Sequence, residues 1–249
     1  MYSSVSRKLE VRMDVVIEEK DIDLFIKPAR LIVAGFSGSG KTSLVCRIVR
    51  KYHNKFDKII VCGTNRHPLQ EEEDDIARKV FVHKDIVKPT RGDDDDDDDD
   101  DDGGGDDIPP GLQRLYILDD IFTEAAQNKY VIDAFTKGRH SRISTILITQ
   151  NLFFSGKHAR NISLNATHYI LLRQRDLNQI ECLGRQIYGN QRSKDFVSVY
   201  KAGLKTSTYG YLLVDLSTVS KPEIQFRTNI AGEPPYEIVF QWRKKGVEL

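Results

Sequence analysis

The sequence predicts an α/β fold, a three-layer sandwich in which a mainly parallel sheet is covered by helices on both faces. Three observations carry this. Short continuous apolar runs recur along the chain, as strands buried on both faces require. Segments of helical periodicity separate them. One run, Leu31-Ile32-Val33-Ala34, leads directly into a glycine-rich loop and then an amphipathic helix.

Taken in order, the alternating stretch from Leu9 to Ile17 predicts a short leading strand or hairpin. Past the glycine-rich loop, Leu44, Val45, Ile48, Val49 and Tyr52 repeat at helical spacing, with Arg47, Arg50 and Lys51 on the other face. Lys58 to Cys62, ended by Gly63, predicts a second buried strand, and Val80 to Val82 a shorter third. Leu115 to Leu118 predicts another, ending in Asp119-Asp120. A helix is expected over 123–137, then a strand from Ile143 to Thr149 that ends in Gln150-Asn151, and a strand from Tyr169 to Leu172. Leu177, Ile180, Leu183 and Ile187 share one helical face stopped by Gly189. A short helix around Phe196, Val197 and Tyr200 precedes closing strands at Tyr211 to Val214 and Ile224 to Arg227.

A chain of 249 residues can bury a full core, and a single domain over residues 1–249 is expected. The formal charge is zero, from 37 basic and 37 acidic residues. Ten of the acids are the unbroken run Asp93 to Asp102, and Asp106 and Asp107 follow after Gly103-Gly104-Gly105. Setting those twelve aside leaves a surplus of twelve positive charges on the remainder, as a phosphate-backbone binder would carry. The acidic stretch, at about 92–107, repels itself and buries nothing, so a disordered insertion is expected. Cys46, Cys62 and Cys182 form no C-x-x-C pair and are expected to be buried free thiols. With no leader-like segment and no apolar run near 20 residues, an intracellular protein that is neither secreted nor membrane-bound is expected.

Gly35-Phe36-Ser37-Gly38-Ser39-Gly40-Lys41-Thr42 fits G-x-x-x-x-G-K-[ST], the P-loop pattern of nucleoside triphosphatases. Glycines let backbone N–H groups turn toward phosphate oxygens, and the helix N-terminus behind them adds positive potential. The nucleotide contacts expected are Gly35, Ser37, Gly38, Ser39, Gly40, Lys41, Thr42 and Ser43, with Lys41 on the terminal phosphates and Thr42 on Mg²⁺. Asp119, at a strand end, is the expected metal carboxylate; Asp120 is the candidate for activating water, and Gln150 for reaching the γ-phosphate or that water. Asn54-Lys55-Phe56-Asp57 matches the guanine-recognition pattern N-K-x-D, yet it follows the P-loop helix directly instead of a later strand, so ATP is the favoured nucleotide. Arg139, His140 and Arg142 are either a solvated turn or the source of an arginine finger for a neighbouring subunit.

The order of these motifs, and above all Gly138-Arg139-His140-Ser141-Arg142 running through to Thr149-Gln150-Asn151, resembles the genome-packaging ATPases of poxviruses and other large DNA viruses, especially those of Polinton (Maverick) elements, within the FtsK/HerA superfamily. Tyr209 to Leu216 and Phe226 to Ile230 look like that family's closing strands, so the resemblance covers about residues 28–230. It implies an additional-strand P-loop fold and a homo-oligomeric ring that hydrolyses ATP between subunits. The ring would drive double-stranded DNA into a capsid in host cytoplasm or nucleus, with capsid or portal proteins as further partners. By position it assigns Lys41 and Thr42 to the Walker A roles, Asp119 to the metal and Asp120 to catalysis. Gln150 becomes the sensor, and Arg139 or Arg142 the finger. Two departures stand out: Asp120 occupies a position where many members carry Glu, and the aspartate insertion is outside the family pattern. Lys157, Arg160, Arg173 and Arg175 are candidates for DNA contact by charge alone. A nucleotide-dependent factor that binds DNA or assists capsid assembly without turnover, and a small-molecule P-loop kinase, stay open as alternatives.

Overall fold

The computed structural model describes residues 11–18, 23–89, 112–153, 158–232 and 237–244; the acidic insertion and Lys157 lie outside these. Ten strands form one sheet: β1 (Val11–Glu18), β2 (Arg30–Ala34), β3 (Lys58–Cys62), β4 (Val80–His83), β5 (Arg114–Asp119), β6 (Ile143–Thr149), β7 (His168–Leu171), β8 (Leu212–Asp215), β9 (Phe226–Thr228) and β10 (Glu237–Lys244). Seven α-helices connect them: α1 (Lys41–Tyr52), α2 (Asp74–Ala77), α3 (Phe122–Ala125), α4 (Lys129–Thr136), α5 (Ala159–Asn165), α6 (Leu177–Tyr188) and α7 (Ser193–Leu204).

Strand order is β1-β10-β9-β8-β7-β2-β6-β5-β3-β4. From β7 to β4 every pairing is parallel. From β7 to β1 every pairing is antiparallel. The fold is that of the P-loop NTPases, and β6 is the additional strand, set between the loop-bearing β2 and the aspartate-bearing β5.

The layers follow from the period of two along each strand. Leu31, Val33, Ile59, Val61, Ile146 and Ile148 pack with Leu44, Val45, Ile48 and Val49 of α1. Their sequence neighbours Ile32, Ala34, Ile60, Cys62 and Leu147 face the opposite way, onto Val131 and Phe135 of α4, Ile180 of α6 and Tyr200 of α7. Runs that are apolar at every position are therefore the cost of covering both faces.

Several elements differ from expectation. The leading strand pairs with β10, which the sequence reading did not include, and no hairpin forms between residues 11 and 34 among those described. The helix expected over 123–137 is split: Asn128 accepts from Tyr130 N–H at 2.8 Å and caps a new helix, α4. Leu177 stands 42 % exposed at the start of α6, so the apolar face begins at Ile180. The segment around Phe196 is a full twelve-residue helix, and α5 was not anticipated. Cys46 and Cys62 are buried free thiols, but Cys182 is only half-buried.

The antiparallel wing is tied by charge. Arg227 of β9, 1 % exposed, donates to Asp215 Oδ2 of β8 at 2.9 Å and to Glu237 Oε2 of β10 at 3.0 Å. Asp215 Oδ1 lies 3.3 Å from His168 Nε2 of β7, so the network crosses four adjacent strands. Burial pushes the Asp215 carboxyl up, but the bonds from His168 and Ser217 outweigh it and hold the group well below the usual carboxylate range. A depressed folded pKa contributes stability that is complete above the unfolded value, about pH 4, and is lost as pH falls from there toward the folded value. Replacing Arg227 with Leu leaves two carboxylates buried without their shared cation; about 3–5 kcal/mol of unfolding free energy is expected to disappear in urea titrations. Arg78→Ala, which removes an ion pair between side chains 79 % and 92 % exposed, is expected to stay within about 1 kcal/mol of the parent.

Candidate nucleotide and metal site

The parallel strands β2, β6 and β5 end at one edge of the sheet, and each delivers a functional residue there. Ala34 is level with Thr149, and Gly35 N–H donates to the Thr149 carbonyl at 3.2 Å, so Gln150 emerges beside the glycine-rich loop. One strand further, Asp119 is level with Ile148.

Within the loop, Gly38 and Gly40 have φ of 79° and 92°, where side chains other than glycine's are strained. Gly40 caps α1 without a side-chain hydrogen bond, and the first turn of α1 carries no acidic residue. A twelve-residue helix thus presents uncapped N–H groups and positive potential to the cleft. Lys41 Nζ folds over the loop and donates to the carbonyls of Gly35 and Phe36 at 2.9 and 3.2 Å. Burial lowers its pKa, against the pull of Asp120 and Asp119. These features fit a bound polyphosphate, whose anionic oxygens would take Lys41 Nζ in place of the neutral carbonyls and favour its charged form.

Thr42 O–H donates to Asp119 Oδ2 at 3.3 Å. Burial raises the Asp119 pKa, a rise that the Thr42 bond opposes and Asp120 reinforces. A hydroxyl and a half-buried carboxylate short of positive charge fit Mg²⁺, which binds through one or two protein oxygens plus substrate phosphates and water. Among the described residues there is no cluster of three or more His, Cys, Asp or Glu that would make an all-protein metal cage. Asp120 adopts the left-handed region, φ 57°, and both its carboxylate oxygens accept from Gln150 Nε2, at 3.2 and 3.3 Å. The two residues expected to handle water are therefore joined to each other.

A cleft of about 1080 Å³ is lined by Ser37, Gly38, Gly40, Lys41, Thr42, Ser43, Asp119, Asp120 and Gln150. Gly35 and Ser39 are not on its wall; Ser39 is buried beneath, its hydroxyl without a hydrogen-bond partner among the described residues. Several residues of the cleft wall have no role predicted from the sequence, among them Tyr209, Gly63 and Thr64. Tyr209, 60 % exposed, packs against Gly40 and precedes β8, outside the closing strand that the sequence predicts from it. Gly63, φ 103°, ends β3 so closely against β5 that a Cβ would fall 2.2 Å from the Asp119 carbonyl. Thr64, next along, also lines the wall. A glycine at the end of an apolar strand is the signal for Gly63 in the sequence, and it fits a close backbone approach as well as a strand stop.

Other expected residues lie elsewhere. Arg139 and Arg142 precede β6, so they sit at the opposite end of the sheet from Gln150, and Arg139 lines a separate cavity of about 620 Å³ with Arg30 and His140. Within this chain they do not reach the cleft. Arg173 and Arg175 follow β7 at the loop end: Phe36 N–H donates to the Arg173 carbonyl at 3.1 Å, and the Arg175 guanidinium is 5.5 Å from the Phe36 ring centroid. Arg160 is exposed on α5. The N-K-x-D residues serve the opposite end, Lys55 binding Asp23 at 2.6 Å and Asp57 accepting from Gln113 N–H at 2.7 Å.

No protein-family model matches the chain, and no curated protein matches it. Among solved structures, the chain is similar to the genome-packaging NTPase B204 of Sulfolobus turreted icosahedral virus 2 in complex with sulfate, with 15 % identity over 78 % of this chain and 95 % of that one, at a TM-score of 0.50. The same protein in complex with ATP-γ-S gives 15 % identity, the same share of this chain, 95 % of that chain and a TM-score of 0.47. The cytoplasmic domain of the Thermomonospora curvata type VII secretion ATPase EccC gives 12 % identity over 90 % of this chain and 26 % of that one, at 0.46. At such identities the likeness is one of fold.

Gly63→Ala is expected to cost about 1–3 kcal/mol, since the added methyl must push β3 away from the Asp119 backbone. Thermal denaturation measures the loss; Gly189→Ala, also at positive φ but with open space around it, separates strain from crowding.

Proposed function

We propose that this chain is a Mg²⁺-dependent ATP hydrolase that drives double-stranded DNA, packaging a viral or virus-like genome into a capsid. The observation that carries the hydrolase reading is the meeting of Lys41, Thr42, Asp119, Asp120 and Gln150 at one edge of the sheet. In this reading the loop N–H groups and Lys41 hold the β- and γ-phosphates. Thr42 and Asp119 hold Mg²⁺, which supplies neutralising charge to the phosphate oxygens. Asp120 accepts the proton of the attacking water, and Gln150, bonded to Asp120, aligns the carboxylate and its water with the γ-phosphate. Asp120 is one methylene shorter than Glu, and its carboxylate is held by the Gln150 amide.

The DNA reading rests on the motif order, which resembles poxvirus-type and Polinton packaging ATPases, and on the twelve surplus positive charges outside the acidic insertion. The fold likeness to a viral packaging NTPase agrees with it. Arg139 or Arg142 would act in a ring, from a neighbouring subunit, because neither reaches the cleft of its own chain. A single domain, portal or capsid partners and an intracellular site of action complete the proposal.

ATP turnover is expected to be stimulated by double-stranded DNA, with a stimulation that weakens as salt rises. Lys41→Ala and Asp120→Asn are each expected to lower turnover by about 10²–10³-fold. Phosphate release measured with and without DNA tests this. Nucleotide binding without turnover under any condition would replace the motor by a nucleotide-dependent DNA-binding or capsid-assembly factor.

A further inference from the structure

A histidine outside the recognised motifs stands behind the metal carboxylate. The chain leaves β3 at Gly63 and forms a short 3₁₀ turn, Pro68–Glu71, whose N-cap is His67. The imidazole is held by one bond, Nδ1 accepting from Leu69 N–H at 3.3 Å, and the backbone N–H of His67 donates to Gln70 Oε1 at 3.1 Å, which closes the turn from the other side. Leu69 is buried in the sheet core, which anchors the turn in depth as well. The ring is 1 % exposed.

The two ring nitrogens therefore have separate tasks. A nitrogen that accepts from a backbone N–H carries no proton, so in the neutral ring the proton is on Nε2. Burial favours that neutral form. Nε2 is buried with no hydrogen-bond partner among the described residues, and it lies 3.8 Å from Asp119 Oδ2. A buried N–H donor without a partner costs stability, so its retention beside a carboxylate calls for a reason. Oδ2 is the same oxygen that accepts from Thr42.

We propose that His67 is a positioning residue for the metal: its Nε2–H closes onto Asp119 Oδ2 when Mg²⁺-nucleotide occupies the cleft, and orients the carboxylate toward the ion. The inference rests on the nucleotide reading above. Carboxylates that bind metals are commonly held by such outer hydrogen bonds, and their loss typically lowers metal affinity by about 10–100-fold. Closing 3.8 Å to a hydrogen bond needs a shift of under about 1 Å by either side chain, within the adjustment of an interior group. No proton leaves His67; it supplies a fixed donor.

The plain alternative is that His67 only caps its turn, and two substitutions separate the roles. In His67→Asn the amide oxygen replaces Nδ1 and keeps the cap, but nothing reaches Asp119. In His67→Gln the amide nitrogen can occupy the Nε2 position and restore the donor, while the cap is lost. The experiment measures the affinity of a fluorescent ATP analogue with Mg²⁺ and with EDTA, alongside melting temperature, for the full chain and both variants. His67→Asn is expected to melt near the parent yet to lose roughly tenfold of its Mg²⁺-dependent affinity, with binding in EDTA unchanged. His67→Gln is expected to melt lower and to keep the Mg²⁺ advantage. If His67→Asn retains the full advantage while the parent shows one, the positioning role is overturned and the nucleotide reading survives. If the parent shows no Mg²⁺-dependent binding, both fall.

Discussion

Parallel strands that finish at a common level leave their last residues side by side, and in this molecule β6, lodged between β2 and β5, decides what those residues are. Its last carbonyl takes the Gly35 N–H, so the glycine-rich loop is pinned at its first residue. Its next residue, Gln150, reaches across to Asp120. Without that strand, loop and carboxylates would be immediate neighbours, with no residue between them to bond Asp120. The buried parallel half of the sheet is thus a ruler that sets the spacing of one cleft, and the apolar contacts on its two faces keep the ruler straight.

The antiparallel half has a different physical character. Its strands are registered by a buried ionic network through His168, Asp215, Arg227 and Glu237, none of which approaches the cleft. Isolated charges would not survive there; a chain of opposite partners, each sharing its bonds with the next strand, does. This wing frames the end of the sheet where Arg30, Arg139 and His140 gather around a second cavity. The two ends of the strands thus carry different residues, the glycine-rich loop with Asp119, Asp120 and Gln150 at one and Arg30, Arg139 and His140 at the other.

Most of the parallel half was legible in the sequence, because a strand buried on both faces must be apolar throughout and a phosphate loop must be rich in glycine. Leu31 to Ala34, Lys58 to Cys62 and Ile143 to Thr149 are strands as predicted. The convergence of Lys41, Thr42, Asp119, Asp120 and Gln150 was legible too, since each ends or follows a recognisable element. The failures have two causes, contacts distant in sequence and one local competition. β10 lies between β9 and β1, and its pairing with β1 joins residues more than 200 positions apart. Asn128 divides a helix whose apolar periodicity runs on without interruption, because a side-chain cap competes locally with the next turn. His67 carries no motif, and its importance exists only where a 3₁₀ turn after β3 meets the end of β5.

What the proposed function asks of a ligand is specific: a polyphosphate that draws Lys41 off its two backbone carbonyls, and a divalent ion that sits between Thr42 and Asp119. The most direct measurement is an experimental structure of the protein with Mg²⁺ and a non-hydrolysable ATP analogue. The expected result has phosphate oxygens on Lys41 Nζ in place of the carbonyls of Gly35 and Phe36, and Mg²⁺ bound through Thr42 and Asp119, with Asp120 and Gln150 facing the γ-phosphate. A nucleotide seated elsewhere, or a loop whose lysine still bonds its own backbone with the analogue present, would contradict it.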